Sequence, residues 1–386
     1  MEMPAAAMSS SNSKLMKLPQ DILLNILFRL PARSLLQFRY VSKSLRNLVD
    51  DPAVAAMHIA ATNDHADVEV RVLPNGSAYC LQFVSCGLLG LKCPEGTLGL
   101  YNPLRVESLW LPKPEIHYGA NYGMGFDYVT STYKILLFYI NEYYPSNSKA
   151  SVHVLGTSSW RRIHSVPPCE VISPSGKYAY GNTYWLTYDN NNSKATLKNR
   201  MMHFDFEKEE FGWTTIPSHF KNSAGESRVF LINLKGSLAL VDVFAEKKIE
   251  IWVHKEKKHW SKDYSMTLRC TYSYPDISVG AWEHGIYISS MPLKSVSDKS
   301  TVLYCDLRCD SKRGEPNKCL EHETQKNVFI ISYTGSLIYL KYYENLRRQN
   351  KSKNLKRKRK DKKNYFDAGK SESPKCFSGL EARRIK

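Results

Sequence analysis

Ile249-Glu-Ile-Trp-Val-His-Lys255-Glu-Lys-Lys-His-Trp260 reads as a strand, a polar turn at Lys255 and a second strand opened by an aromatic. The same figure recurs along the chain. It appears as Leu98-Gly-Leu-Tyr-Asn102-Pro with Leu109-Trp-Leu-Pro112, as Val152-His-Val-Leu-Gly156-Thr-Ser-Ser-Trp160, as Met202-His-Phe-Asp205 with Phe211, and as Val302-Leu-Tyr-Cys-Asp306. Its turn positions Asn102, Gly156, Asp205, Lys255 and Asp306 stand 54, 49, 50 and 51 residues apart. A second marker, a glycine followed by an apolar run, falls at Gly87, Gly181, Gly236, Gly285 and Gly335. Its first step of 94 is about two periods, and the next three are 55, 49 and 50. Two markers sharing a period near 50 predict four-stranded propeller blades. The strand after each glycine is read as the inner one and the aromatic hairpin as the outer pair. The 273 residues of Val68–Leu340 hold five to six such blades, and Val68-Glu-Val-Arg-Val-Leu73 is placed to pair with the last blade and close the ring.

Upstream, residues 15–57 have a different texture. Leu23, Ile26, Leu27 and Leu30 follow i, i+3, i+4, i+7 spacing, with Pro19 and Asp21 suited to the first turn and Pro31 ending the helix. Leu35 and Phe38 give a short second turn that Ser34 would cap, and Val41, Leu45, Leu48 and Val49 form a third stripe ended by Asp50-Asp51-Pro52. A module of some 40 residues with helices this short is marginal alone, and its apolar positions exceed the needs of one small core. The surplus is read as either a partner surface or a seat on the downstream domain.

The string Leu18-Pro19-Gln-Asp21-Ile22-Leu23-Leu-Asn-Ile26-Leu27-Phe-Arg29-Leu30-Pro31, then Ser34-Leu35, Val41-Ser42-Lys43, Leu48 and Asp51-Pro52, resembles an F-box. Leu45 stands where that family commonly has Trp, and Val54 where Phe is frequent. The β region, through Leu100-Tyr-Asn102-Pro103, Gly125-Phe-Asp127-Tyr-Val-Thr-Ser-Thr-Tyr133-Lys134-Ile, Ser159-Trp160-Arg161, Phe204-Asp205 and Ile249-Glu-Ile-Trp252-Val253, resembles the F-box-associated, kelch-like domain of plant F-box proteins. The resemblance implies an α+β multidomain protein: residues 1–14 disordered, a three-helix all-α F-box at 15–57, a kelch-like β-propeller at 68–340, and a disordered basic tail at 341–386. It implies a non-catalytic adaptor of an SCF (Skp–cullin–F-box) ubiquitin ligase. Leu18, Pro19, Ile22, Leu23, Ile26, Leu27, Leu30, Pro31, Leu35, Val41, Ser42 and Lys43 would carry or support docking on Skp, which brings cullin, and propeller loops would hold a protein target.

The 386 residues carry 54 Lys and Arg against 37 Asp and Glu, a formal +17. Residues 341–386 hold 17 Lys and Arg against 5 Asp and Glu, so the remainder carries only +5. That partition argues against a nucleic-acid-binding propeller, the rival reading of so basic a chain. The run Lys356-Arg357-Lys358-Arg359-Lys360 reads as a nuclear-import signal, placing the protein in nucleus and cytoplasm, with phosphate binding as the competing use of the same charge. No apolar stretch approaches the ~20 residues of a membrane helix. Nine scattered cysteines suit a reducing compartment. Cys305, Cys309, Cys319 and His322 have zinc-like character, yet Cys305 lies in an apolar strand run, so free thiols are expected and no metal or cofactor is assigned. No phosphate loop, H-E-x-x-H or G-x-S-x-G occurs, and a sugar-binding or catalytic propeller lacks the convergent polar site it would need.

Overall fold

Among the described residues four short helices come first: α1 Gln20–Leu27, α2 Ala32–Phe38, α3 Lys43–Val49 and α4 Pro52–Thr62. The computed structural model describes residues 19–62, 68–74, 80–115, 119–141, 144–173, 176–189, 196–197, 200–218, 220, 227–245, 248–255, 259–267, 277–282, 284–290, 299–308, 319–325 and 328–368. Residues 1–14 and Leu18 lie outside that set. Pro19 and Pro31 occupy the positions before α1 and α2, so Ser34 falls inside α2 and does not cap it. Ser42 caps α3, its Oγ accepting from the Leu45 amide at 3.1 Å. Among the described residues the three expected helices are present, and a fourth, Pro52–Thr62, follows and runs past the end of the module. Asp51 accepts from the Ala53 amide at 2.8 Å and Pro52 takes the first helical position, where its missing N–H costs nothing, so the Asp-Asp-Pro run starts α4 as well as stopping α3.

The strands in chain order are β1 Val68–Pro74, β2 Cys80–Ser85, β3 Leu88–Lys92, β4 Leu98–Asn102, β5 Glu107–Trp110, β6 Asn121–Asp127, β7 Thr132–Tyr139, β8 Lys149–Val154, β9 Arg161–Arg162, β10 Lys177–Ala179, β11 Asn182–Trp185, β12 Tyr188–Asp189 and β13 Thr196–Leu197. They continue as β14 Arg200–Asp205, β15 Glu210–Thr215, β16 Ser227–Leu234, β17 Ser237–Phe244, β18 Lys248–Lys255, β19 His259–Thr267, β20 Ile277–Trp282, β21 Gly285–Ser290, β22 Lys299–Asp306, β23 Cys319–Gln325 and β24 Val328–Thr334. Five four-stranded antiparallel blades follow: β2–β5, β6–β9, β10-β11-β14-β15, β16–β19 and β20–β23, with β12 and β13 a side hairpin of the third. β1 pairs with β24, from Val68 opposite Thr334 to Pro74 opposite Val328. The first described propeller strand thus closes the ring with the last one, as a separate ribbon beside β20 rather than as an added strand of the fifth blade.

The glycine marker is a turn, not the head of an inner strand. Cys86-Gly87, Tyr180-Gly181 and Lys235-Gly236 all have both φ values positive, the two-residue hairpin geometry that glycine permits. Each joins the first strand of a blade to the second, and the first strands of neighbouring blades pack on one another. The inner strand therefore precedes the glycine. In the first and third blades the third-to-fourth-strand turn is built on an Asx cap. Asn102 Oδ1 accepts from the amides of Leu104 and Arg105, and Asp205 Oδ1 from those of Glu207 and Lys208. Asp127 does the same in the β6–β7 turn, accepting from Val129 and Thr130.

Gly335-Ser-Leu-Ile-Tyr-Leu340 does not form the expected strand. Leu337, Ile338 and Leu340 are buried in one core with the first blades and the helices, and Asn102 Nδ2 donates to the carbonyls of Ser336 and Ile338 at 3.1 and 2.9 Å. The tail likewise departs from expectation over its first part, because Leu340–Ala368 is one helix, α5. Leu340 and Tyr343 are buried, and Leu346 seats against Gly156, so an apolar first turn anchors a segment whose later charge pattern alone reads as solvated. Residues 369–386 lie outside the described set. Among the described residues no helix is long and apolar enough to cross a membrane.

Candidate partner-docking site

α1 presents two apolar stripes. Leu23 and Leu27 point inward and share a core with Ala32, Leu35, Val49, Ala55 and Ala56 of the following helices and with Leu98, Leu100, Leu109 and Leu337 of the propeller and its C-terminal extension. Ile22 and Ile26, one turn apart on the other side, remain 48% and 44% exposed. Tyr40 and Val41 in the α2–α3 turn are exposed as well, together with Pro19, Pro31 and Lys43, whereas Leu30 and Ser42 are half-buried. The structure thus divides the sequence-derived docking set. Leu23, Leu27 and Leu35 are buried in the core shared with the propeller, and Ile22, Ile26 and Val41 remain exposed. Leu45, in the position where the family favours Trp, is buried, and so is Val54. His58 closes the module from beneath, its Nε2 donating to the Leu30 carbonyl at 2.9 Å, while burial holds its ring below the ordinary histidine value.

The seam between helices and propeller is polar at its edge. Asp50, at the end of α3, accepts from Arg39 of the same module at 2.8 Å and from Arg105 Nη2 of the β4–β5 turn at 2.8 Å. Arg39 and Arg105 both lie over the Tyr339 ring, at 5.7 and 5.1 Å from its centroid. α5 continues the strapping: Leu340 N donates to Glu107 at 3.1 Å, Arg347 to the Trp110 carbonyl at 2.6 Å, and Asn350 to the Gly156 carbonyl at 3.3 Å. Because blade strands alternate in direction, the β2–β3 and β4–β5 turns lie at the propeller end that meets the helices. The β3–β4 turn, Cys93–Thr97, lies at the other end.

Between blades the fixings repeat. Trp160 Nε1 donates to the Pro112 carbonyl at 2.7 Å and Trp260 Nε1 to the Thr215 carbonyl at 2.8 Å, each tying an outer strand to the preceding blade. Each indole packs on a histidine, His153 and His254. Lys134 bridges blades two and three, its Nζ 2.7 Å from Asp127, 2.8 Å from Glu209 and 2.9 Å from the Phe206 carbonyl. Burial opposes ionisation of Asp127, yet the Lys134 ammonium and the Thr130 hydroxyl and amide hold its carboxyl down to about 2. His153, His203 and His254 stand 50 and 51 residues apart in the quoted hairpins, a third periodic marker that the sequence reading passed over. Cys305 and Cys319 face each other in register on β22 and β23. Cys309 lies outside the described residues, and among those described no group of three or more His, Cys, Asp or Glu could hold a metal. Of the basic run, Lys356 is exposed on α5, and residues 357–360 continue the same helix.

Residues 55–353 match the F-box associated beta propeller domain family, and residues 15–55 match the F-box domain family. Among curated relatives, the chain is 23% identical over 379 residues to F-box protein At2g07140 of Arabidopsis thaliana, covering 84% of this chain and 90% of that one. It is 24% identical over 290 residues to the F-box/LRR-repeat/kelch-repeat protein At2g27520 of the same plant, covering 68% and 80%. It is 25% identical over 305 residues to the F-box protein CPR1, also from Arabidopsis thaliana, covering 64% and 73%.

Proposed function

Because the chain belongs to the F-box-associated β-propeller family and carries an F-box ahead of that domain, we propose that it is a substrate-recruiting adaptor of an SCF ubiquitin ligase. The observation that carries the reading is the exposed pair Ile22 and Ile26 on an F-box helix whose adjacent stripe, Leu23 and Leu27, is already buried. A monomer has no use for a second apolar stripe on so small a module, so the pair fits a partner, Skp, and through it cullin. The mechanism is proximity. One end of the rigid body holds the ligase, the propeller holds the target, and the effective concentration of target lysines near the charged enzyme rises without any bond chemistry by the adaptor. The target is held by loops at the propeller end away from the helices, of which Cys93–Thr97 is one.

The test is co-precipitation of Skp with the full chain and with the double substitution Ile22→Lys and Ile26→Lys. Burying the exposed half of two isoleucines contributes about 1 kcal/mol each, so docking weakens roughly tenfold or more while the melting temperature holds. Wild type that recovers no Skp, or a double variant that keeps it, refutes the reading. The run Lys356–Lys360 supports a separable proposal of nuclear import. A fluorescent fusion of the full chain should enter the nucleus, and replacement of these five residues by Gln should leave it in the cytoplasm.

A further inference from the structure

Arg105 is an expensive residue to place where it lies. Its side chain is 2% exposed, and burying a guanidinium costs free energy that apolar contact would not. It sits in a turn held rigid by the two amide bonds to Asn102. From there it reaches Asp50 and the Val49 carbonyl at the end of α3, at 2.8 and 3.4 Å, and packs on Tyr339. The same Asn102 fixes the carbonyls of Ser336 and Ile338, just before that tyrosine, and Ala32 of α2 approaches Gly335. Blade one, the C-terminal extension and the F-box thus meet at one polar buckle. The apolar seam beneath it supplies cohesion but little directionality. One guanidinium nitrogen, Nη2, bonded to both the Asp50 carboxylate and the Val49 carbonyl while the group lies over the Tyr339 ring, restricts the relative orientation of the two parts.

We propose that Arg105, with Asp50 and Tyr339, is a positioning residue that sets the angle between the F-box docking face and the propeller. The proposal rests on the adaptor reading, in which that angle fixes which lysines the ubiquitin-loaded enzyme reaches. It is tested on the full chain with Arg105→Ala and, as a milder variant that keeps every charge, Tyr339→Leu. Amide exchange in residues 20–49 should quicken by about tenfold in Arg105→Ala, where the part-exposed Asp50 keeps Arg39, and less in Tyr339→Leu. Exchange in the β14–β19 blades should stay unchanged, and both variants should retain Skp. In a reconstituted Skp–cullin complex, ubiquitin on the chain's own propeller lysines should spread over more sites in the variants than in wild type. Unchanged exchange in residues 20–49, equal acceleration throughout the propeller, or an unaltered lysine pattern overturns the proposal. Wild type that never binds Skp refutes the adaptor reading instead, while the exchange data still judge the buckle.

Discussion

Lys134→Met removes the cation that joins blades two and three. In the native protein its Nζ neutralises Asp127, itself 1% exposed, and Glu209, and satisfies the Phe206 carbonyl. The substitution leaves two carboxylates that shared one ammonium facing each other with only Arg161, on the exposed side of Glu209, to offset them. Breaking a buried pair from one side costs about 3–5 kcal/mol, which for a domain of this size lowers the melting temperature by about 5–15 °C. The pH dependence identifies the cause. In wild type the Asp127 carboxyl is depressed to about 2, so its stabilisation is fully present above its ordinary value near 4 and is lost as pH falls from there through 2. Without Lys134, burial and the Glu209 charge both raise the Asp127 value, so protonation favours the folded form and the deficit shrinks as pH falls from 7 to 5. Urea titrations of both proteins at pH 7 and pH 5 provide the assay. A deficit below about 1 kcal/mol at pH 7, or one of equal size at pH 5, refutes the electrostatic account.

His153 donates from Nδ1 to the Ser159 carbonyl at 3.0 Å, and burial holds its ring down at about 4. A histidine whose folded value is depressed contributes stability that is present above its unfolded value near 6.5 and lost as pH falls toward 4. The loss is about 3 kcal/mol over that window. His58, His203 and His254 are depressed by burial too, so His153→Gln should reduce but not abolish the fall in urea midpoint between pH 7 and 4.5. Gly87 and Gly181 offer a matched pair at equivalent turns. Alanine at Gly181 meets nothing within 4 Å and costs only the strained backbone, about 1–2 kcal/mol. Alanine at Gly87 also drives its Cβ into the Thr334 carbonyl oxygen, so it should destabilise more and loosen exchange protection in the β1–β24 ribbon. Equal losses at the two sites refute the closure role of Gly87.

Periodicity made the propeller legible because most blades repeat the same local chemistry: in three of them a glycine where two positive φ values are needed, and in several turns an Asn or Asp where the amides need an acceptor. The second blade hid from the glycine marker because its four-residue turn places Ser131, not Gly, at positive φ. Which strand lies inside was not legible, since the first two strands of a blade are both apolar and only contact with neighbouring blades separates them. The run after Gly335 has the composition of a strand, and what prevents pairing is tertiary. Its carbonyls are taken by Asn102, more than 200 positions earlier, and its side chains by the F-box. α5 was missed for a related reason, because Leu340, Tyr343 and Leu346 nucleate a helix only once the propeller supplies their seats.

The surplus of apolar residues in residues 15–57 admitted two readings, a partner or the downstream domain, and α1 divides them between its two sides. Five apolar residues within six positions, Ile22, Leu23, Leu24, Ile26 and Leu27, wrap further around the helix than one core requires. Leu23 and Leu27 complete a core that continues into blade one, which is how helices of seven or eight residues become stable at all. A charge at Leu23 would therefore unfold the module before it tested any partner, and deletion of the module would expose the propeller's own core. Ile22 and Ile26 lie outside that dependence, so they can be tuned for an external surface without altering the fold. The inward stripe also binds that external surface to the propeller's frame. Whatever docks on Ile22 and Ile26 inherits a fixed orientation relative to the blades, because the next residues of the same helical turns, Leu23 and Leu27, are the ones packed against them.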